Sequence, residues 1–159
     1  EPTRVFAHHP TLMAGYGALE YATEKADRVP GDLKKLVSTK TAALSGCEFC
    51  IDISSSLAAE TGVSEAKLRA LPDYRRSPEF SDVERLVLDF AVGMTRTPVD
   101  VSDELFAALR EHFDEAQLVE LANEIAIENY RARFHWAFGI RSQNFTAGAY
   151  CARPEALPA

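Results

Sequence analysis

The chain has 159 residues, of which 47% are hydrophobic and 26% are charged, and these proportions are typical of one ordinary globular domain with a real core. Its formal net charge is −7 and its pI is near 5.1, so it lacks the basic excess through which proteins bind nucleic acid or anionic membranes. No apolar run approaches the ~20 residues of a membrane-spanning helix. We therefore expect neither a nucleic-acid nor a membrane partner, and we predict one domain over residues 1–159.

Helical spacing of apolar residues recurs along the chain, and no segment alternates as a strand does, which predicts an all-α protein. In chain order, start and stop signals predict helices over about 11–27, 32–44, 47–61 and 64–71, then a loop over 73–80. In the first of these, Thr11 is the predicted cap, and an apolar stripe on one side is predicted from Leu12, Tyr16, Leu19 and Ala22 or Thr23. Capping signals at Ser81, Ser102 and Asp114 open three more helices, the last and longest running to about Phe138. Glycine and proline predict an irregular tail over about 140–159. The whole is expected to be a compact bundle of six to eight helices.

Two of the three cysteines, Cys47 and Cys50, stand three residues apart at a predicted helix start. Residues three apart share a helix face, so the two sulfur atoms can meet and form a reversible disulfide. The run Ser45-Gly46-Cys47-Glu48 predicts a capping box in which Ser45 is the N-cap and Glu48 is its carboxylate partner. This would place Cys47 in the first helical turn, where the helix dipole favours the reactive thiolate.

Two other interpretations of the pair are open. Free cysteine packs well in cores, so the spacing also fits two inert buried thiols. A structural zinc site usually needs four ligands, and the other candidates, Cys151 and the four histidines, show no second paired spacing. The capped helix start favours redox chemistry over both. The low cysteine content favours the cytoplasm, where such a pair is kept mainly as thiols.

The segment from Leu36 to Asp52, which contains the cysteine pair, resembles the core of the carboxymuconolactone decarboxylase and alkylhydroperoxidase D-like family. The segment from Glu124 to Ile140 is similar to the closing helix of that family. The resemblance implies an alkylhydroperoxidase D-like helical subunit that assembles into trimers or hexamers. It also implies a disulfide-cycling peroxidase that reduces a hydroperoxide and is regenerated by a thiol reductant, with no metal or organic cofactor.

In the peroxidase branch of the family, a glutamate on the preceding helix and a histidine four residues after the second cysteine form a proton relay. Lys35 and Ser54 stand at those two positions here. General acid–base help is typically worth ~10²–10⁴-fold in rate, so the relay needs substitutes. The candidates are Ser54 acting through water, the carboxylates of Glu48 and Asp52, and His135 from the last helix. Each also has a structural interpretation: packing for Ser54, capping for Glu48, a solvent-facing first-turn acid for Asp52, and a surface or interface position for His135.

The order of the two thiols is open, because the helix dipole favours attack by Cys47 whereas the family relay serves Cys50. We expect Cys50 to be the peroxidatic cysteine and Cys47 the resolving one. Two other function classes are also open. One is a cofactor-free lactone decarboxylase-type enzyme on the same fold, which would use His135 or an arginine and keep its activity without the thiols. The other is a non-enzymatic redox-sensing oligomer, which would change its assembly on oxidation without turning over peroxide.

Overall fold

The computed structural model describes residues 1–156, over which eight α-helices and no β-strand are formed, so the predicted all-α class is confirmed. A short 3₁₀ helix, Leu71–Asp73, follows the fifth α-helix. Among the described residues, no helix has both the length and the apolar character needed to cross a membrane. The α-helices are, in chain order, α1 Pro2–Phe6, α2 Pro10–Lys25, α3 Gly31–Ser45, α4 Glu48–Glu60, α5 Glu65–Ala70, α6 Asp82–Thr95, α7 Asp103–Arg110 and α8 Glu115–Ala137.

Helix α3 lies at the centre of the molecule. All but one of its residues from Leu33 to Leu44 are buried, and it packs against α4, α6 and α8. Two of its enclosed hydroxyl groups are satisfied within the helix, because Thr39 and Thr41 donate hydrogen bonds of 2.7 and 2.9 Å to backbone carbonyls one turn earlier. Gly46 ends the helix in a left-handed conformation with φ 64°, which favours glycine. This turn leads the chain directly into the cysteine-bearing helix α4.

The later helices begin where the sequence predicted. Ser81 and Asp114 form complete capping boxes at the starts of α6 and α8, and Ser64 and Ser102 cap α5 and α7. Each cap satisfies a backbone amide that the helix itself leaves unpaired, which fixes the start of the helix. Behind these starts, α3, α6, α7 and α8 share an apolar core whose buried members include Val37, Val87, Phe90, Leu109, Leu121 and Ile125.

Helix α2 is attached to the rest of the molecule through few side chains. Its N-cap is His9, whose ring accepts a hydrogen bond from the Leu12 backbone amide, so the predicted cap at Thr11 is wrong. Thr23 is buried, but Leu12 and Leu19 of the predicted apolar stripe are 58% and 44% exposed. Leu12 and Leu19 therefore face outward and form an uncovered apolar strip on the surface.

The tail forms no helix or strand over residues 140–156, as the sequence predicted, while the predicted irregular end at Pro158 lies outside the described residues. This part of the tail is held by Asp52 of α4, which is buried and accepts three backbone hydrogen bonds of 3.0 Å from the segment Gln143–Thr146. Burial alone would raise the pKa of Asp52, but these bonds outweigh it and hold the pKa at about 2. The interpretation of Asp52 as a solvent-facing acid is therefore wrong.

Candidate active site

The cysteine pair lies at the start of α4, but the helix begins differently from the prediction. Cys47 itself is the N-cap, and its sulfur accepts a hydrogen bond of 3.3 Å from the backbone amide of Cys50. Ser45 is the last residue of α3 and does not cap α4, so the predicted capping box is wrong. Glu48 is about half exposed, and its carboxylate lies 3.3 Å from Arg141. A thiolate at the N-cap receives the partial positive charge of the helix start more directly than one inside the first turn.

His135, near the end of α8, completes a triangle with the two sulfur atoms. Its Nδ1 atom lies 3.2 Å from the sulfur of Cys50 and 3.6 Å from that of Cys47. All three atoms lie within 4.8 Å of one another. The imidazole is buried, its ring stands edge-on to the Phe49 ring at 4.9 Å, and the neighbouring Trp136 indole donates a 2.9 Å hydrogen bond to the Ser45 carbonyl. These contacts fix the end of α8 against the loop that precedes the cysteines.

The two thiols ionise very differently. The hydrogen bond from the Cys50 thiol lowers the pKa of Cys47, burial opposes this, and His135 and the Cys50 backbone amide lower it further, to about 5. The pKa of Cys50 is raised, first by its interaction with Cys47, then by burial and by the negative charge of Glu128. The pair therefore holds one proton between its two sulfur atoms across a wide pH range.

Glu128, about two turns before His135 on α8, is a buried carboxyl beside Cys50. One carboxyl oxygen accepts hydrogen bonds from Ser38 at 3.3 Å and from Arg131 at 2.9 Å. The other oxygen is buried and has no hydrogen-bond partner among the described residues. Burial raises the pKa of Glu128, although Arg131 lowers it. Arg131 also pairs with Glu20, which ties α2 to the site.

The predicted substitutes for the relay are not equally placed. His135 lies within 3.6 Å of both sulfur atoms. Ser54 is buried, and its hydroxyl donates a hydrogen bond of 3.4 Å to the Ile51 carbonyl. Ser54 also lines a cavity that opens onto Cys50. Lys35, at the expected glutamate position, lies 3.5 Å from the Glu124 carboxylate. Sequence reasoning missed Glu128. The signal available was the seven-residue spacing to His135, which puts both side chains on one face of a long helix.

A cavity of about 710 Å³ opens onto Cys50 and His135. Cys50 is only 1% exposed, so the cavity supplies its route to a substrate. Cys47 is not among the lining residues and instead borders a second, much smaller pocket with His135 and Trp136. Cavities of this size accommodate organic molecules well above the size of water. Much of the wall is apolar or aromatic, contributed by Tyr16, Phe49, Ile53, Leu57 and Phe145.

The fold and the site together define a class of helical proteins with a Cys-x-x-Cys pair at a helix start beside a substrate-sized cavity. Residues 10–92, just over half of the chain, match the model of the carboxymuconolactone decarboxylase family. The chain belongs to this family, as the resemblance in the sequence indicated.

Among curated relatives, the chain is 44% identical over 111 residues to the uncharacterized protein YnjA of Escherichia coli (strain K12), an alignment that covers 70% of this chain and 61% of YnjA. The chain thus spans less than two thirds of the length of that relative. Among solved structures, a cysteine-to-alanine variant of the debrominase Bmp8 in complex with 2,3,4-tribromopyrrole has a TM-score of 0.83 at 22% identity, covering 92% of this chain and 79% of Bmp8.

A second solved structure, described as an alkylhydroperoxidase AhpD core and peroxidase-related protein from Ralstonia eutropha JMP134, has a TM-score of 0.78 at 20% identity. That alignment covers 92% of this chain and 80% of the other. The predicted alkylhydroperoxidase D-like fold is confirmed. At this level of identity, the two structures show the fold and do not assign a reaction.

Proposed function

We propose that the protein is a thiol-dependent peroxidase that cycles between a Cys47–Cys50 dithiol and its disulfide. The observation that carries the proposal is the triangle of two sulfur atoms and one imidazole nitrogen, with distances of 3.2 and 3.6 Å, at the wall of a substrate-sized cavity. A nucleophile, a group that can accept its proton and a second thiol are thus already in contact.

Cys50 is the attacking thiol in this proposal, because it is the cysteine that faces the cavity. Its proton passes to His135 or to the Cys47 sulfur, both of which adjoin its own sulfur. The thiolate attacks the terminal oxygen of a hydroperoxide, so that an S–O bond forms and the O–O bond breaks. The departing alkoxide takes a proton from His135 or from the carboxyl of Glu128 and leaves as an alcohol, with Cys50 as sulfenic acid.

Cys47 is then the resolving cysteine. Its sulfur lies within 4.8 Å of the Cys50 sulfur and must approach to about 2.05 Å to form a disulfide. Attack of the Cys47 thiolate on the sulfenic acid, with one proton supplied, forms the disulfide and releases water. The sum is that two thiols and one hydroperoxide give a disulfide, an alcohol and water. An external dithiol restores the pair by exchange and becomes oxidised itself.

The uncovered strip on α2 supports the expected assembly into homo-oligomers. Leu12 and Leu19, which lie two turns apart on one face of the helix, are 58% and 44% exposed. Apolar surface of this kind is typical of protein–protein contacts. We infer that a trimer or hexamer covers it and works in the reducing cytoplasm, where a dithiol donor is available.

A second candidate is reductive dehalogenation, which the same dithiol can support. The likeness to Bmp8, a debrominase with a tribromopyrrole bound, and the aromatic walls of the cavity favour this alternative. In this reaction two thiols and a carbon–bromine bond give a disulfide, a carbon–hydrogen bond and hydrogen bromide. The thiols are oxidised and the carbon is reduced, so the electron balance at the protein is the same as in peroxide reduction.

Turnover assays with matched variants test the proposal and separate it from the alternative. The reduced protein is mixed with an organic hydroperoxide and a dithiol, and in parallel with a brominated pyrrole and the same dithiol. We expect peroxide consumption that Cys50→Ser abolishes and Cys151→Ser leaves unchanged, and a trapped Cys47–Cys50 disulfide by peptide mass analysis. Full activity of Cys50→Ser would overturn the proposal, and bromide release without peroxide turnover would favour the dehalogenase.

A further inference from the structure

We propose that Cys47, Cys50 and His135 form a binding site for a soft divalent metal ion such as Zn²⁺ when the thiols are reduced, with the Glu128 carboxylate as fourth ligand. The three donor atoms are two sulfurs and one imidazole nitrogen, which is a ligand set that zinc prefers. This site is an addition to the proposed reaction and does not depend on it.

The spacing of the donor atoms suits a tetrahedral ion. Zinc bonds of about 2.3 Å to sulfur and about 2.0–2.1 Å to nitrogen, at tetrahedral angles, place neighbouring donors about 3.5–3.8 Å apart. The His135 nitrogen lies 3.2 Å from the Cys50 sulfur and 3.6 Å from the Cys47 sulfur, and the whole set lies within 4.8 Å. Only small side-chain movements are needed for all three to reach one ion.

The fourth ligand is argued from an unpaired atom. Glu128 is 3% exposed, lies beside Cys50 and lines the same cavity as Cys50 and His135. One of its carboxyl oxygens is held by Ser38 and Arg131, which orients the group, while the other has no hydrogen-bond partner among the described residues. An orphaned buried carboxylate oxygen is costly unless it meets a proton donor or a cation. The Glu128 oxygens lie outside the 4.8 Å group that holds the other three donor atoms, so the side chain would have to turn toward the triangle to reach the ion, which would then supply that cation.

The metal and the disulfide exclude each other, because both use the same two sulfur atoms. Oxidation of the bound form by a hydroperoxide would consume two protons and yield the free divalent ion, the Cys47–Cys50 disulfide, an alcohol and water. The site would therefore hold the ion only in the reduced protein and release it on oxidation. Bound metal would also block the thiols, so zinc would act as a reversible inhibitor of any reaction at Cys50.

Titration of the reduced protein with Co²⁺, followed by displacement with Zn²⁺, tests the site. We expect one equivalent of Co²⁺ to give thiolate-to-cobalt charge-transfer bands and strong tetrahedral visible bands, which one equivalent of Zn²⁺ removes. Cys50→Ser and His135→Ala should weaken binding by at least ~100-fold, and Glu128→Gln by roughly 10–100-fold, by analogy with the cost of losing supporting ligands. The controls Cys151→Ser and His112→Ala should bind as the unchanged protein does.

The result does not depend on every variant folding. In the unchanged protein, the charge-transfer intensity counts the coordinating thiolates, and two are expected. Absence of these bands, unaltered binding in folded His135→Ala, or binding by the disulfide form would each overturn the site. Peroxide consumption is measured separately on metal-free protein, so metal binding without turnover would retain the site and reject the peroxidase, and the reverse outcome would do the opposite.

Discussion

The first half of α8 and its second half face different surroundings. In the first half, Leu118, Leu121 and Ile125 are at most 3% exposed and pack into the apolar core with α3 and α6. In the second half, Glu128 and His135 are equally buried but face Cys50 and the cavity. Burial in the first half removes hydrocarbon from water and stabilises the fold. Burial in the second half takes polar groups out of water and leaves them few hydrogen-bond partners, which keeps them reactive. One helix thus joins the core to the candidate active site.

The largest effect on turnover is expected at His135, the residue in the second half of α8 that contacts both sulfur atoms. Replacement His135→Ala removes the imidazole from both thiols, and we expect turnover of an organic hydroperoxide to fall by ~10²–10⁴-fold, the usual worth of general acid–base help. Steady-state peroxide consumption with a dithiol donor measures it. His112→Ala, at an exposed histidine outside the site, is the matched control and should keep full activity. Equal activity of the two variants would remove His135 from the mechanism.

Substitutions in the first half of α8 should change the free energy of unfolding instead of turnover. Leu121 has no exposed surface, so Leu121→Ala leaves a cavity and should lower the free energy of unfolding by about 2–5 kcal/mol. Urea denaturation measures the loss. Val119 on the same helix is 69% exposed, and Val119→Ala should change stability by less than about 0.5 kcal/mol. Turnover per folded molecule should be unchanged in both variants; a drop in Leu121→Ala would show that the two halves are mechanically coupled.

Substitution of Glu128 tests whether this buried carboxyl contributes to turnover while lowering the free energy of unfolding. Its raised pKa means that the native state binds its proton more tightly than the unfolded chain. Stability should therefore fall as pH rises from the ordinary value of 4.5 through the raised pKa, and Glu128→Gln should flatten that fall. The same variant should slow turnover by roughly 10–100-fold, less than loss of the base itself. Denaturation at several pH values and turnover at pH 7 give the two readouts, and an unchanged pH slope would contradict the assignment.

The smallest effect is expected in thiol ionisation. As pH rises, the thiolate absorbance of the reduced protein should increase by the equivalent of one thiolate with a midpoint near pH 5, which is the lowered pKa of Cys47. Cys50 should stay protonated well above the ordinary cysteine pKa of 9.0. His135→Ala should raise that midpoint by about one pH unit, because one of several stabilising partners is lost. In Leu121→Ala the midpoint should stay near 5. Two thiolates titrating together near pH 9 would show that the sulfur atoms are independent.

Much of the fold could be predicted because helix boundaries depend on local chemistry. Ser81 and Asp114 cap their helices through side-chain bonds to amides two to three residues away, which sequence alone displays. The start of α4 escaped the same reasoning. There Gly46 adopts a left-handed conformation and Cys47 takes the cap, so the matching Ser45–Glu48 spacing had no structural counterpart. Packing of α3 against α4 decides that turn, and packing is not a local property.

The helical class, most helix starts and the position of Cys47 and Cys50 at one of those starts could be read from the sequence, because all of these depend on residues close along the chain. The surroundings of the two sulfur atoms depend on tertiary contacts. His135 lies 85 positions from Cys50, Ser38 lies 90 positions from Glu128, and Asp52 binds a tail segment more than 90 positions away. Such contacts follow from the packing of α3, α4 and α8, which no spacing within one segment reveals. For this reason the missing relay at Lys35 and Ser54 is visible in the sequence, which also offers His135 as a candidate substitute. The contact of His135 with both sulfur atoms and the position of Glu128 beside Cys50 are visible only in the fold.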